Sequence, residues 1–244
     1  TQSTWGNHLM SPSSPPARSW SVSRDSLRRY VQCASDNCIQ ELLSSSDSTS
    51  GNGWRIIKFK NGVEISKRRS PYLHTFRSRL LLRNVSPNQI ASVATAIDAA
   101  RKWDSDLIEA RNTTVSEDNF CIIRLRFGEN AKPLFRNREF VVYERREAFD
   151  DGTYVVAVAS LPSKIAAGLY PKQSNSIRGL LLISGWVLEK LEDNCCMVTY
   201  IAQLDPGGWL PKWFVNRLNT RLVMINENLI EIALGSSSDS DSSL

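Results

Sequence analysis

Residues 205–234, DPGGWLPKWFVNRLNTRLVMINENLIEIAL, decide the fold. They begin with the turn Asp205-Pro206-Gly207-Gly208, and Pro211 then suits the first turn of a helix. Beyond Pro211, apolar residues recur at alternating three- and four-residue steps, which is the spacing of one helix face. This stripe consists of Val215, Leu218, Leu222, Ile225, Leu229 and Ile232. We predict one long helix over about 211–234, with an apolar face that another element must cover.

Most of the preceding sequence has the two-residue period of strands. The exceptions are a helix predicted over about 22–43 and a second from Ser86-Pro87, an N-cap and first-turn proline, to about Arg101. Asn61-Gly62 is a strong hairpin signal. The strand-like runs are about 54–59, 63–69, 73–82, 107–115, 120–127, 139–146, 154–161, 177–188 and 196–204.

This order of elements predicts an α+β fold, in which a curved nine-stranded antiparallel sheet wraps around the C-terminal helix. Such an arrangement encloses a cavity unless large inward side chains fill it. The Ser-rich segments 1–19 and 236–244 have too little apolar surface to fold, so we expect a disordered leader, a domain over 20–235 and a disordered tail.

Composition argues against several kinds of catalytic site. The chain of 244 residues has only two histidines, His8 and His74, and its five cysteines have no CxxC spacing. A His/Cys zinc site or a Ser-His-Asp triad would lack its residues. We see no P-loop, GxGxxG or HExxH motif. We therefore expect a non-enzymatic binding protein with no metal and no cofactor, and no run is apolar enough to predict a membrane span.

The net charge of +5 is concentrated in one segment. Residues 54–83 carry nine basic residues against a single acid, Glu64. Such a patch can meet nucleic acid, an anionic membrane surface or an acidic partner, or it can be a solvated sheet face. Because no RNA-binding signature accompanies it, we expect an anionic membrane surface rather than nucleic acid.

Four motifs in this order resemble those of the StAR-related lipid-transfer (START) domain family, over about 30–234. They are Asn61-Gly62-Val63-Glu64-Ile65, Arg101-Lys102-Trp103-Asp104, Asn137-Arg138-Glu139-Phe140-Val141 and Asp205-Pro206-Gly207-Gly208-Trp209-Leu210-Pro211. Glu139 stands where the family more often has aspartate.

The resemblance implies a helix-grip fold with a hydrophobic tunnel that holds one lipid of the sterol, phospholipid or sphingolipid class. The implied protein is a cytoplasmic monomer, peripheral to membranes, that transfers the lipid between them or senses it. The alternative is a regulatory lipid-sensing module of a larger protein without transfer activity, and an enzyme on a related cavity fold is less favoured.

In this family a loop and the C-terminal helix form the gate of the tunnel. The resemblance places the gate loop at 128–137, where Leu134 and Phe135 would be an apolar tip that touches the membrane between Lys132 and Arg136. The alternative is an ordinary loop that folds these apolar residues onto the body of the domain. The lid at the start of the C-terminal helix would comprise Trp209, Val215, Leu218 and Leu222.

Arg138 matches the arginine that the family often has near the tunnel floor. A lone buried charge is costly, so we predict that Arg138 pairs with Glu109, which shares strand parity with Leu107. The alternative is an edge arginine that stays in water. Arg124 could reach a lipid phosphate, although its parity with Arg126 fits an outer face equally well. Further candidates for contact with the lipid, for which core packing is the alternative, are Tyr143, Tyr154 and Tyr200.

Overall fold

The computed structural model describes residues 22–47, 52–114, 119–192 and 194–223. The helices are α1 (Arg24–Ser46), α2 (Pro87–Val93), α3 (Ala96–Trp103), α4 (Ser163–Leu169) and α5 (Lys212–Val223). The strands are β1 (Trp54–Lys60), β2 (Val63–Arg68), β3 (Thr75–Arg83), β4 (Leu107–Thr114), β5 (Phe120–Phe127), β6 (Arg138–Ala148), β7 (Tyr154–Ser160), β8 (Ile177–Arg178), β9 (Leu180–Leu191) and β10 (Cys195–Asp205).

The sheet confirms the predicted fold class, with one addition. Nine strands follow the order β1-β2-β3-β10-β9-β7-β6-β5-β4 and pair antiparallel. The addition is β8, two residues that pair in parallel with β6. The run predicted over 177–188 divides at Gly179, because the backbone there passes so close to Phe140 that a Cβ atom would lie 2.3 Å from its ring.

The inner face of the sheet is the one that contacts α2, α3 and α5. In the core on this face, the Trp186 ring and aliphatic side chains such as Val156 and Leu188 pack against residues of these helices. On α5, the side-chain amide of Asn219 donates to the Leu204 carbonyl and accepts from the Leu204 amide, at 3.0 and 2.8 Å. These bonds fix α5 against β10, as the predicted helix grip requires.

The outer face is covered by α1 and α4, and a second core lies between these helices and the sheet. Ser23 caps α1 by accepting from the Ser26 amide. Leu42 then packs directly on Gly185 of β9, where a Cβ atom would lie 2.7 Å from the Leu42 side chain and 2.2 Å from the Val156 carbonyl oxygen. The absence of a side chain at Gly185 therefore sets how closely α1 approaches the sheet.

The helix predicted from Ser86 to about Arg101 is two helices, although the predicted cap is present. Ser86 caps α2 with Pro87 in the first turn. Helix α2 ends because the Arg146 guanidinium donates to the carbonyls of Ala91 and Ala94, at 2.7 and 3.3 Å. Thr95 is then the N-cap of α3. Side chains from β6, which local sequence does not show, divide the helix.

Two further predictions differ in extent from the structure. The short helix α4 was not predicted. The C-terminal helix is described as far as Val223, so the predicted continuation over 224–234 lies outside the described residues, as do the predicted leader 1–19 and tail 236–244. Among the described helices, none has the length and hydropathy that a membrane span requires.

We predict that Gly185→Ala destabilises the domain by about 1–3 kcal/mol, because the added methyl group meets the Val156 carbonyl and Leu42. Urea denaturation followed by circular dichroism measures this loss. Gly168→Ala, on the exposed surface of α4, is the matched control and should be neutral or slightly stabilising. An unchanged midpoint for Gly185→Ala would contradict the direct packing of α1 on the sheet.

Candidate functional site

The described residues enclose a small cavity between the inner face and α3. Its volume is about 10 Å³, close to the minimum for one water-sized group. Its walls come from β5, β7, β9, β10 and α3, so five elements meet around it. The lining residues are Ala96, Ala99, Trp103, Leu125, Val158, Leu181, Ser184, Trp186 and Tyr200.

The polar atoms of this cavity are all uncharged. The Ser184 hydroxyl donates to the Tyr200 hydroxyl at 3.3 Å, and the Trp186 and Tyr200 rings pack with centroids 4.7 Å apart. Burial raises the pKa of Tyr200 to about 12, so its hydroxyl stays protonated at physiological pH. The indole N–H of Trp186 is buried without an acceptor among the described residues, and that of Trp103 lies close enough to the Tyr200 hydroxyl to offset part of this rise in its pKa without forming a well-aligned hydrogen bond.

The loop 128–137 closes over the inner face beside α3. Phe135 stacks on Trp103 with ring centroids 5.8 Å apart and packs on Phe127 at 5.0 Å. Leu134 and Phe135 are only 5% and 2% exposed. The expectation that they form a tip exposed to the membrane is therefore wrong for this conformation, because the aromatic rings of the core offer them a drier contact. Their role in a gate stays a prediction.

Asp104 ties this loop to the end of α3. Its buried carboxylate accepts from the Lys132 amide at 2.6 Å and from the Asp106 amide at 2.9 Å. The motif Trp103-Asp104 thus acts at one joint: the indole ring packs on Phe135 and the carboxylate holds the loop backbone. These contacts would have to loosen before the loop could open.

Arg138 holds the other side of the cover. Its guanidinium donates to the carbonyls of Pro206 and Gly207, at 2.8 and 3.3 Å, and to that of Arg136 at 3.1 Å. Burial lowers its pKa. The predicted pair with Glu109 is wrong, because backbone carbonyls of the turn before α5 satisfy this buried cation. Arg138 therefore connects the loop 128–137, β6 and the entry to α5.

Glu109 lies on the outer face, opposite the cavity. A bulge between Leu107 and Glu109 breaks the strand parity on which the prediction rested, so Leu107 packs inward while Glu109 does not. Its carboxylate pairs with Arg111, Arg126 and Arg124, at 2.5, 3.4 and 3.5 Å. A role in contacting a ligand in the cavity is therefore excluded for Glu109 in this arrangement.

Arg124 belongs to the same outer-face ion cluster and not to the cavity. It donates to the fully buried Glu139 at 3.1 Å and stacks over the Tyr170 ring at 5.4 Å. Arg178 donates to the other Glu139 oxygen at 2.8 Å. Burial raises the pKa of Glu139, but Arg178 and Arg124 more than offset this, so the net pKa is lowered. The glutamate that stands in place of the commoner aspartate thus ties α4 and β8 to the sheet.

The three predicted tyrosines lie in different places. Tyr200 lines the cavity, and half-buried Tyr154 packs against the inner core. Tyr143 lies on the outer face, where its hydroxyl donates to the Ala34 carbonyl of α1 at 3.3 Å. Tyr143 is therefore a core residue between sheet and helix, which the alternative reading of strand tyrosines allowed.

The predicted lid residues also lie in different environments. Val215 is buried on α5, whereas Trp209 lies before the helix and is 91% exposed. The side chains of Leu218 and Leu222 lie outside the described residues. The expectation that Trp209 covers the cavity is wrong, because the turn at Gly207 and Gly208 directs its side chain into solvent.

Sequence reasoning did not place Ser184, Trp186 or Trp103 at the cavity. The signal was present in the apolar run 179–188, where Ser184 is the one hydroxyl residue and shares strand parity with Trp186. A hydroxyl group inside a buried apolar strand requires a polar partner, which Tyr200 supplies.

Comparison with known proteins agrees with this geometry. The START domain family model matches residues 35–226. START domain-containing protein 10 from mouse is 28% identical over 197 residues, and the human protein 26%; the match covers 78% of this chain and 63% of either relative. The chain thus spans less than two thirds of their length. Human StAR-related lipid transfer protein 5 has the same fold, with a TM-score of 0.70 at 19% identity over 86% of this chain and 99% of that one. Human STARD10 follows with 0.64 at 22% identity over 80% and 78%.

We predict that Arg138→Met lowers the free energy of unfolding by about 1.5–3 kcal/mol, because it removes charge-assisted bonds to buried carbonyls. Arg136→Met is the control, since the Arg136 side chain is exposed. Urea denaturation of both variants measures the difference. Equal stability of the two variants would show that the guanidinium does not hold the turn.

We predict that Phe135→Ala costs about 3–5 kcal/mol of stability, because it leaves a cavity between Trp103 and Phe127. Pro133→Ala, an exposed change in the same loop, should cost less than about 0.5 kcal/mol. Thermal melts compare the two. If Phe135→Ala melts at the same temperature as the control, Phe135 does not pack in the core and instead faces solvent, as the sequence suggested.

Proposed function

The chain belongs to the START domain family, and from that premise we propose that it binds a single lipid beneath the loop 128–137 and α5 and transfers it between membranes. One observation supports this most: an uncharged cavity lies between the inner face and α3, and the loop 128–137 packs beside it on Trp103, one of the lining residues. The name of human StAR-related lipid transfer protein 5, which shares the fold, agrees with transfer as the activity.

The cavity supports binding by apolar burial. Seven of its nine lining residues offer aliphatic or indole surface, and each CH₂ group that leaves water contributes about 0.8 kcal/mol. A lipid is far larger than 10 Å³, so entry requires the cover to move. We propose that loop 128–137 swings from the Trp103 ring and the Asp104 carboxylate while α5 moves at its Arg138 contact.

Binding rather than catalysis fits the chemistry of the cavity. Among the described residues, no carboxylate, lysine or histidine lines it, so the hydroxyls of Ser184 and Tyr200 lack a base that could activate them. We propose a sterol, phospholipid or sphingolipid as the ligand class and a cytoplasmic protein that works as a monomer at membrane surfaces. The five cysteines are present as thiols, as suits a reducing compartment.

An exposed aromatic and basic surface supports docking to a membrane. Trp209 and Trp213 are 91% and 66% exposed at the start of α5, and Tyr72 is 88% exposed on the β2–β3 connection. These two segments are neighbours, since Lys212 of α5 and the bases Lys67 and Arg69 all lie close enough to His74 to lower its pKa.

The pKa of His74 is lowered, first by burial and then by these three cations. Exposed indole rings suit the headgroup level of a bilayer, and the bases favour anionic lipids. We name this the docking surface: Lys67, Arg69, Tyr72, Trp209, Lys212 and Trp213. It adjoins the entry to α5, where the cover would open.

We predict that Trp209→Ala/Trp213→Ala lowers transfer of a fluorescent phosphatidylcholine between anionic vesicles roughly tenfold or more, because burial of one large apolar side chain is worth about 1.5–3 kcal/mol. The melt should be unchanged, since both indoles are exposed. Leu191→Ala, an exposed apolar change at the opposite end of β9, should leave transfer unchanged.

The same assay separates transfer from sensing. Transfer by the parent chain that rises with anionic lipid and falls with salt supports the proposal. Lipid binding without transfer under any vesicle composition would favour the lipid-sensing module instead. Absence of lipid binding would reject both functions.

A further inference from the structure

The cavity contains more hydrogen-bond donors than acceptors. The indole N–H of Trp186 has no acceptor among the described residues, and that of Trp103 forms no well-aligned hydrogen bond there, although it lies close enough to the Tyr200 hydroxyl to offset part of the rise in its pKa that burial causes. Both side chains are more than nine-tenths buried. Both tryptophans line the same cavity as Ser184 and Tyr200. A buried donor without a partner costs roughly 1–3 kcal/mol, so two in one cavity require an explanation.

The hydroxyl pair adds a third donor. Ser184 donates to the Tyr200 oxygen, which leaves the phenolic hydrogen to be given elsewhere. The Trp103 indole also acts on this hydroxyl and offsets part of the rise in its pKa, but as a donor, so it leaves the phenolic hydrogen without an acceptor too. Trp103 and Trp186 can only donate, because an indole has no acceptor. The set therefore matches an oxygen atom with free lone pairs.

The charge around the cavity decides what kind of oxygen fits. Every described lining residue is neutral, and the arginines Arg124 and Arg126 lie on the outer face of the sheet. On the inner face, Arg146 is already paired with Glu144 at 3.1 Å and donates to the Ala91 carbonyl, so it is not free to meet a buried anion. A phosphate or carboxylate buried there would lack a cation, which is very costly. A carbonyl or hydroxyl oxygen is neutral and accepts such bonds without this cost. The volume of about 10 Å³ is also the size of one such group.

We propose that Trp103, Trp186 and the Ser184–Tyr200 pair form a subsite that binds one neutral carbonyl or hydroxyl oxygen of the lipid. The inference rests on the proposed lipid binding and adds its selectivity: the buried end of the ligand carries an uncharged oxygen, and any phosphate remains outside this pocket. The apolar lining then accommodates the carbon skeleton next to that oxygen.

Two matched pairs of lipids test this without any change in the protein. Cholesterol is compared with 5-cholestene, which lacks the hydroxyl group, and dioleoylglycerol with its diether analogue, which lacks the ester carbonyls. We expect the member with the hydroxyl group in the first pair, or the member with the ester carbonyls in the second, to bind about tenfold more tightly, as one to two neutral hydrogen bonds allow. The pair that shows the difference tells whether the oxygen is a hydroxyl or a carbonyl.

Variants of the protein locate the effect. Tyr200→Phe and Trp186→Phe each remove a donor. Each should reduce the preference for the lipid with the hydroxyl group or the ester carbonyls to about threefold or less. Tyr143→Phe is the matched control, since it removes a buried tyrosine hydroxyl on the outer face and should leave the preference unchanged. The measured quantity is the ratio of the affinities of one variant for the two lipids of a pair. A general loss of stability affects both affinities and therefore does not change this ratio.

Three results would overturn the subsite. Equal affinity of the parent chain for both members of both pairs would show that the indoles serve only a buried water. A preference that survives Tyr200→Phe and Trp186→Phe would place the oxygen elsewhere. Binding of none of the four lipids, and of no vesicle lipid, would remove the proposed function itself and the subsite with it.

Discussion

The inner face of the sheet is apolar over most of its strands, and it cannot be left in water. Each Å² of apolar surface buried contributes about 25 cal/mol, so the chain gains most by covering this face completely. Two short helices, the loop 128–137 and α5 provide the cover, and no one of them is long enough to do so alone. The structure therefore depends on how these separate pieces are joined.

The joints coincide with the sequence motifs. Trp103-Asp104 holds the loop through a ring and a carboxylate, and Arg138 holds the turn before α5 through two carbonyls. Charge also lies on both faces of the sheet: Glu144 and Arg146 pair on the inner face where α2 meets α3, and the cluster of Glu109, Arg124 and Glu139 lies beneath α4 on the outer face. The residues that line the cavity are nevertheless all neutral in the described part of the chain, and each nearby ion has a partner of its own.

The order of elements and the caps could be predicted because they depend on local chemistry. Asn61-Gly62 forms the β1–β2 turn with both residues at positive φ, and Ser86-Pro87 begins a helix as expected. The site could be predicted only in part, because it depends on which face each side chain occupies. The bulge after Leu107 moved Glu109 to the outer face, and the partners of Arg138 are backbone carbonyls that no residue type reveals. Phe135 in an apparently exposed loop found an aromatic partner on a helix more than thirty positions earlier.

The central claim is that the covered inner face holds one lipid. Native mass spectrometry of the chain after incubation with mixed-lipid vesicles and repurification measures this directly. The account predicts a complex of one chain with one lipid molecule, which persists after the vesicles are removed. A chain that returns only at its own mass, or with a variable number of weakly held lipids that detergent-free washing removes, would contradict it.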